Sequence, residues 1–312
     1  MATTRNRPKS RPRPRRQPAR RPNRERLLFV AAVVIVGLPV LLWAATRGSE
    51  GDESSPGGPG VSHVHGLGIN PADGSLYVAT HHGTFRIRDD DPAERVSDSA
   101  QDTMGFTVAG PDRFLGSGHP DVQGFRQGQP RLLGLIESTD AGKSWSAVSL
   151  SGEVDFHALA FAHGRTYGWD SSSGRFMVSS DQRTWDTRST RPLISFAVDP
   201  TDPDHIVAGD PEGLIDSNDG GRTWQRLRGP ALVALSWEKT AGLVGADTGG
   251  VVHRSTDGGA SWSRAGRLPG SPQALLATAD SLYAAADVGG TTGIYQSPDD
   301  GRTWSLRYRD SA

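Results

Sequence analysis

Of the nine histidines in this 312-residue chain, six (His63, His65, His81, His82, His119 and His157) lie between residues 63 and 157. Met104 lies among them, and Asp102 and Asp155 stand two residues before Met104 and His157. Imidazoles converging with a thioether suit a soft or borderline metal ion, copper above all and zinc second. The two carboxylates would serve as further ligands or as hydrogen-bond partners of the rings. No cysteine is present, which excludes disulfides, thiolate metal sites and thiol nucleophiles. A second chemistry needs only paired carboxylates. Glu153, Asp155, Asp170, Asp210 and Glu212 are candidates for the acid and its partner in glycoside hydrolysis, but no spacing in the sequence fixes a pair.

The elements that must position these residues are set by a repeat. Ser255-Thr256-Asp257-Gly258-Gly259-Ala260-Ser261-Trp262 follows the pattern Ser-x-Asp-x-Gly-x-Ser/Thr-Trp, which recurs at Ser138 to Trp145, Ser217 to Trp224 and Ser297 to Trp304. A copy one residue short and without glycine runs from Ser179 to Trp185. The aspartates Asp140, Asp181, Asp219, Asp257 and Asp299 are 41, 38, 38 and 42 residues apart, a period expected of propeller blades or stacked repeats. Locally the octapeptide reads as a rigid hairpin turn. Ser and Asp side chains bond amides of the same loop, glycine supplies a positive φ, and the closing tryptophan lays its ring on the sheet.

These octapeptides resemble the Asp-box (BNR-type) repeats of β-propellers such as sialidases and other glycoside hydrolases, sortilin-like receptors and a photosystem-assembly-factor family. From Val61 to Tyr308 the chain is similar to bacterial BNR-repeat proteins often labelled glycosyl hydrolases. The resemblance implies that each box joins the third and fourth strands of a blade, on the face away from the ligand. Asp140 and Trp145, Asp181 and Trp185, Asp219 and Trp224, Asp257 and Trp262, and Asp299 and Trp304 are then structural. Sialidase-like propellers use an arginine triad, a Tyr/Glu nucleophile pair and an Asp acid. This sequence departs from that pattern: no Arg-Ile-Pro-type stretch precedes the first box, and Tyr77, Tyr167 and Tyr283 fall inside second strands. Sialidase activity is not expected, while another glycosidase activity stays open.

The expected fold is all-β, a six-bladed β-propeller with Asp-box hairpins over residues 61–312, preceded by one transmembrane helix. Roughly 250 residues at about 42 per unit give six four-stranded blades. The start of each first strand and the end of each second strand share the face opposite the boxes. One ring there reads His65, Met104, His157, Ile194, Ala231, Gln273; the other reads His81, His119, Asp170, Asp210, Asp247, Asp287. His65, His81, His119, His157 and Met104 are the metal-site candidates, with His63, His82 and Asp102 as secondary ones. An aspartate at such a turn also commonly caps it by bonding backbone amides. Asp155, Asp170, Asp210 and Glu212 are the weaker, catalytic candidates.

Residues 1–26 hold eleven of the 34 basic residues and one of the 35 acidic ones, leaving 23 basic and 34 acidic for residues 27–312. An acidic globular part argues against a nucleic-acid partner. The Arg- and Pro-rich tail is too polar for a core and is expected to be disordered and cytoplasmic. Leu27 to Ala45 carries no charge over nineteen residues, about 28 Å of helix against a ~30 Å hydrocarbon core. Positive charge before it sends the remainder outward. The alternative of a cleaved signal peptide places Trp43 where a small residue is wanted. Residues 46–60 are expected to form a flexible tether to an extracytoplasmic propeller on a single-pass anchor. Three functions fit: a ligand-binding or assembly module with a copper or zinc site, a glycoside hydrolase acting on envelope or extracellular glycans, and a scaffold for an envelope protein.

Overall fold

The computed structural model describes Met1 and residues 60–88, 93–97 and 99–309. The tail, the apolar stretch at 27–45 and the tether therefore lie outside the described residues, apart from Met1 and Gly60. Among the described residues no helix is long and apolar enough to cross a membrane. Six four-stranded antiparallel sheets form the blades of a propeller, each sheet built from four consecutive strands.

Blade 1 holds β1 (Val64–Ile69), β2 (Leu76–Thr80), β3 (Gly83–Ile87) and β4 (Glu94–Arg95). Blade 2 holds β5 (Asp102–Gly110), β6 (Arg113–His119), β7 (Leu135–Ser138) and β8 (Ser146–Ser149), with the short helix α1 (Val122–Arg126) between β6 and β7. Blade 3 runs through β9 (Phe156–Ala162), β10 (Arg165–Asp170), β11 (Arg175–Ser179) and β12 (Asp186–Thr190), and blade 4 through β13 (Ser195–Val198), β14 (Ile206–Asp210), β15 (Gly213–Ser217) and β16 (Gln225–Arg226). Blade 5 comprises β17 (Leu232–Glu238), β18 (Gly242–Asp247), β19 (Val251–Ser255) and β20 (Ser263–Arg267). Blade 6 comprises β21 (Ser271–Ala277), β22 (Leu282–Val288), β23 (Thr291–Ser297) and β24 (Ser305–Arg309).

The first strand of each blade packs against those of its two neighbours around the axis. Small residues permit this approach: a Cβ on Gly105 would lie 2.3 Å from the carbonyl oxygen of Phe156 in the next blade. The hydrophobic cores lie between blades. Phe176 and Tyr167 of blade 3, for example, pack with Phe196, Ile206 and Ile215 of blade 4.

Each box closes by one set of bonds. In blade 5, Ser255 donates its hydroxyl to Asp257 (2.8 Å) and accepts the Gly259 amide (2.8 Å), while Asp257 accepts the Ser261 amide (2.9 Å). The short copy in blade 3 does the same without glycine: Gln182 adopts φ 61° and donates its amide to Ser179 at 2.7 Å. Every box tryptophan lies on the core shared with the preceding blade. Trp145, Trp185, Trp224, Trp262 and Trp304 cover the junctions of blades 1/2, 2/3, 3/4, 4/5 and 5/6 in turn.

The ring closes without strand exchange among the described residues. Blades 6 and 1 meet through Val61, Val64, Leu67 and Val78 on one side and Ala274, Ala285 and Ile294 on the other. The Val64 amide donates to Gln273 Oε1 at 2.9 Å, and the His63 amide to Thr292 Oγ1 at 3.3 Å.

Candidate functional site

Five of the six innermost strands start with a β-bulge. Pairing with the second strand skips His65, Met104, His157, Val233 and Gln273. A bulge takes its extra residue out of the ladder and re-aims the side chain. His65, His157, Val233 and Gln273 accordingly line the central channel, a space of about 620 Å³. The blade 5 member of this ring is Val233, not Ala231, which lies just before β17.

The histidines divide into two groups. In the first, His65 Nε2 and His81 Nδ1 are 3.3 Å apart, and Asp102 Oδ1 lies 2.8 Å from His81 Nδ1 and 3.7 Å from His65 Nε2. Ligand atoms about 2.0–2.1 Å from a tetrahedral zinc are about 3.3 Å from one another, a spacing that the three edges of this triangle, 2.8, 3.3 and 3.7 Å, bracket. His63 completes the group. It stacks on His81 with ring centroids 5.0 Å apart, and one ring nitrogen from each of His63, His65 and His81 lies within 4.8 Å of the others. The backbone of His63 is held at φ 41°, a costly conformation for a residue with a Cβ.

The protonation states suit metal binding. Burial, and then the neighbouring His81, lower His65 to a pKa of about 3. Burial followed by His81 also lowers His63 and His82. Neutral imidazoles offer their lone pairs at neutral pH. The donor set of imidazole and carboxylate fits copper or zinc.

The second group centres on Asp155, whose side chain is 7 % exposed. Its Oδ2 accepts from His157 Nε2 at 2.8 Å and from the Ser171 hydroxyl at 3.1 Å, with His119 Nε2 at ion-pair distance, 3.5 Å. His119 Nδ1 donates to the Arg131 carbonyl at 2.8 Å. Contact with Asp155 raises His119 to a pKa of about 9. Burial alone would raise the Asp155 carboxyl, but hydrogen bonds from His119 and His157 hold it well below the usual range. His119 and His157 are thus committed to a carboxylate one blade away from the first group. Met104 is half-buried in β5, two residues after Asp102, and His82 is half-buried beside His81 with its amide on Thr80 Oγ1.

The remaining ring aspartates cap their turns. Asp170 accepts the Ser172 amide, Asp210 that of Glu212, Asp247 those of Gly249 and Val251, and Asp287 that of Gly290. Asp170 is fully buried and also takes the Ser172 hydroxyl and the Arg175 guanidinium. Asp210 is held between Arg191 (3.1 Å) and Arg226 (2.6 Å), and Arg226 also pairs with Glu212.

Blade 2 carries an insertion on this face, around Asp121 to Arg131, whose length shows in the sequence but whose helix does not. The insertion in blade 2 folds as α1, capped by Asp121, which accepts the Gly124 amide at 2.7 Å and the Ala100 amide at 3.1 Å. The helix turns Val122 and Phe125 outward, 68 % and 58 % exposed. The signal available was an apolar pair inside an otherwise polar insertion.

Residues 177–312 match the sequence model of the family described as photosynthesis system II assembly factor YCF48. The photosystem II assembly lipoprotein Ycf48 of Synechococcus sp. (strain CC9902) is 31% identical over 124 residues, 36% of this chain and 36% of that one. A xyloglucanase of Paenibacillus sp. is 29% identical over 154 residues, 36% of this chain and 15% of that protein. The chain thus spans about a third or less of the length of these curated relatives. Among solved structures, a chain of the nidogen/laminin complex superposes with a TM-score of 0.53 at 12% identity, covering 70% of this chain and 88% of that one. That likeness concerns the fold alone.

Proposed function

We propose that this six-bladed BNR-type β-propeller is an assembly or interaction module, held at a membrane by residues 27–45, with a copper or zinc site on the face opposite its boxes. The assembly reading draws on the match of residues 177–312 and on the relative named for photosystem II assembly. It is also favoured by Val122 and Phe125, apolar side chains offered to solvent on the face that carries the histidines.

The observation that carries the metal reading is the triangle of His65 Nε2, His81 Nδ1 and Asp102 Oδ1, with His63 beside it. A metal ion would take the place of the proton that His81 and Asp102 share, and His65 would give its lone pair. His119 and His157, joined to Asp155, would border the site from the neighbouring blades rather than act as ligands of the same ion. Glycan hydrolysis draws less support, because Asp170 and Asp210 are tied to turn amides and arginines.

Elemental analysis of the full chain in detergent, after titration with copper(II) and zinc(II) and removal of free metal, tests the reading. About one ion per chain is expected, and none in a His65→Ala/His81→Ala variant. An equal metal content in parent and variant would refute the site.

A further inference from the structure

The face opposite the boxes carries most of the large apolar side chains that the propeller leaves uncovered. Among the described residues of the blades these are Val122, Phe125, Ile194 and Leu306. Val122 and Phe125 lie on α1, which follows the end of β6, and Ile194 directly precedes β13, so three of the four are on this face. Leu306 is on the outer strand β24. Val122 and Phe125, three residues apart, project from one side of α1.

The charges beside this pair have one sign. Arg126 and Arg131 are the only charged residues from 122 to 134, and both are exposed. Residues 27–312 as a whole hold 23 basic and 34 acidic side chains, so the insertion is a basic spot on an acidic body. Asp121, just before the pair, is engaged by the amides of Gly124 and Ala100. The chain also enters the propeller on this side, because β1 begins at Val64 and first strands start on the face opposite the boxes.

We propose that α1 docks on a lipid bilayer, with Val122 and Phe125 entering the acyl boundary and Arg126 and Arg131 meeting anionic headgroups. The inference rests on the reading of residues 27–45 as a membrane anchor. Residues 46–60 join that stretch to the propeller. A Gly- and Ser-rich tether of this length has a root-mean-square span of about 20 Å. A domain of about 250 residues has a radius of gyration of about 18 Å and is therefore more than about 40 Å across. The tether thus favours contact through the face it enters, which is the face that bears α1. An apolar pair flanked by arginines is the chemistry that an anionic bilayer surface binds. Docked in this way, an assembly module turns its histidine-bearing face to the surface where membrane-embedded partners lie.

The chain has no cysteine. Gln127→Cys on the insertion and Ala260→Cys on a box therefore each give a single site for the fluorophore NBD, both at exposed positions. The labelled full chain is reconstituted in phosphatidylcholine–phosphatidylglycerol liposomes that contain a doxyl-labelled lipid as quencher. Quenching is expected at residue 127 and not at residue 260. Val122→Ser/Phe125→Ser should lower the ratio of docked to undocked protein at least about tenfold. Omitting the anionic lipid should lower it about fivefold per arginine, an effect lost in Arg126→Gln/Arg131→Gln. Should the serine variant not fold, the comparison of residues 127 and 260 decides. Retention on alkaline-washed liposomes reports separately on residues 27–45. A retained chain with no quenching at 127 would hand Val122 and Phe125 to a protein partner and overturn docking, with the anchor intact. Equal quenching at both sites, or quenching that survives the two serines, would overturn it as well. Disulfide dimers of unlabelled Gln127→Cys protein in place of quenching would give the face to a second copy of the chain. A chain lost in the wash would overturn the anchor, and this inference with it.

Discussion

The box glycines join two demands that can be separated by experiment. Gly221 adopts φ +91°, and a Cβ placed on it would lie 2.4 Å from the ring of Phe176, a buried residue of the preceding blade. Gly213, a few residues earlier, has φ +127° with nothing within 4 Å of its Cβ position. Gly110, at the end of β5, has neither a positive φ nor a neighbour within 4 Å. Alanine at Gly110 should change stability little or raise it by about 0.4–1 kcal/mol, through the unfolded chain alone. Alanine at Gly213 adds the left-handed conformation, a cost of about 1–2 kcal/mol. At Gly221 the same conformational cost is joined by overpacking against Phe176, another ~1–3 kcal/mol, for a total near 2–5 kcal/mol. Urea unfolding of the three variants and the parent, followed by tryptophan fluorescence, gives the ordering directly. If Gly221→Ala is no less stable than Gly213→Ala, the box does not press on the neighbouring blade and the account of the junctions is wrong.

Two further outcomes are expected. Hydrogen bonds from Ser261, Thr223 and Thr303 hold Asp257, Asp219 and Asp299 at about 2, below the ordinary 3.8. A lowered folded pKa means that the stabilisation is complete above the unfolded value and lost as pH falls through the folded one. The melting temperature should therefore drop from about pH 4 to about pH 2, and Asp257→Asn should flatten that drop; a parent curve with no slope there would contradict the hydrogen-bond pattern. Asp102→Asn keeps the shape beside His81 but removes the charge, and should weaken copper or zinc binding by about 10–100-fold in a competition assay with a coloured chelator. Unchanged affinity would leave Asp102 outside the metal's environment.

Much of the architecture was legible because the boxes repeat their chemistry. Ser, Asp, Gly and Trp at fixed offsets specify a turn, and a near-constant spacing of turns specifies blades. The two rings were legible for the same reason, since strand starts and second-strand ends must share a face. What could not be read was how the side chains leave the backbone there. The bulges that lift His65 and His157 out of their ladders have no sequence signature, and they decide that His65 meets His81 while His157 turns to Asp155. The shift of the blade 5 ring position from Ala231 to Val233 has the same origin. Gln182 carries a related lesson: a box without glycine still closes, because the serine and aspartate bonds outweigh the left-handed conformation of one residue.

Closure by packing has a consequence for how this ring can be taken apart. No strand is lent from one blade to another among the described residues, so a cut in any connection between blades severs no ladder of hydrogen bonds. A break in the segment 227–231, between blades 4 and 5, would leave two pieces of four and two complete sheets, joined by side-chain packing and by a few backbone amides that donate to side chains across the seams, such as Leu235 to Ser195 Oγ and Val64 to Gln273 Oε1. Such a ring behaves like a masonry arch, in which each stone is whole and the fit of the faces keeps the circle shut. Halves made separately should find each other through their apolar faces, and the blade is the unit in which this protein can be divided, permuted or rebuilt.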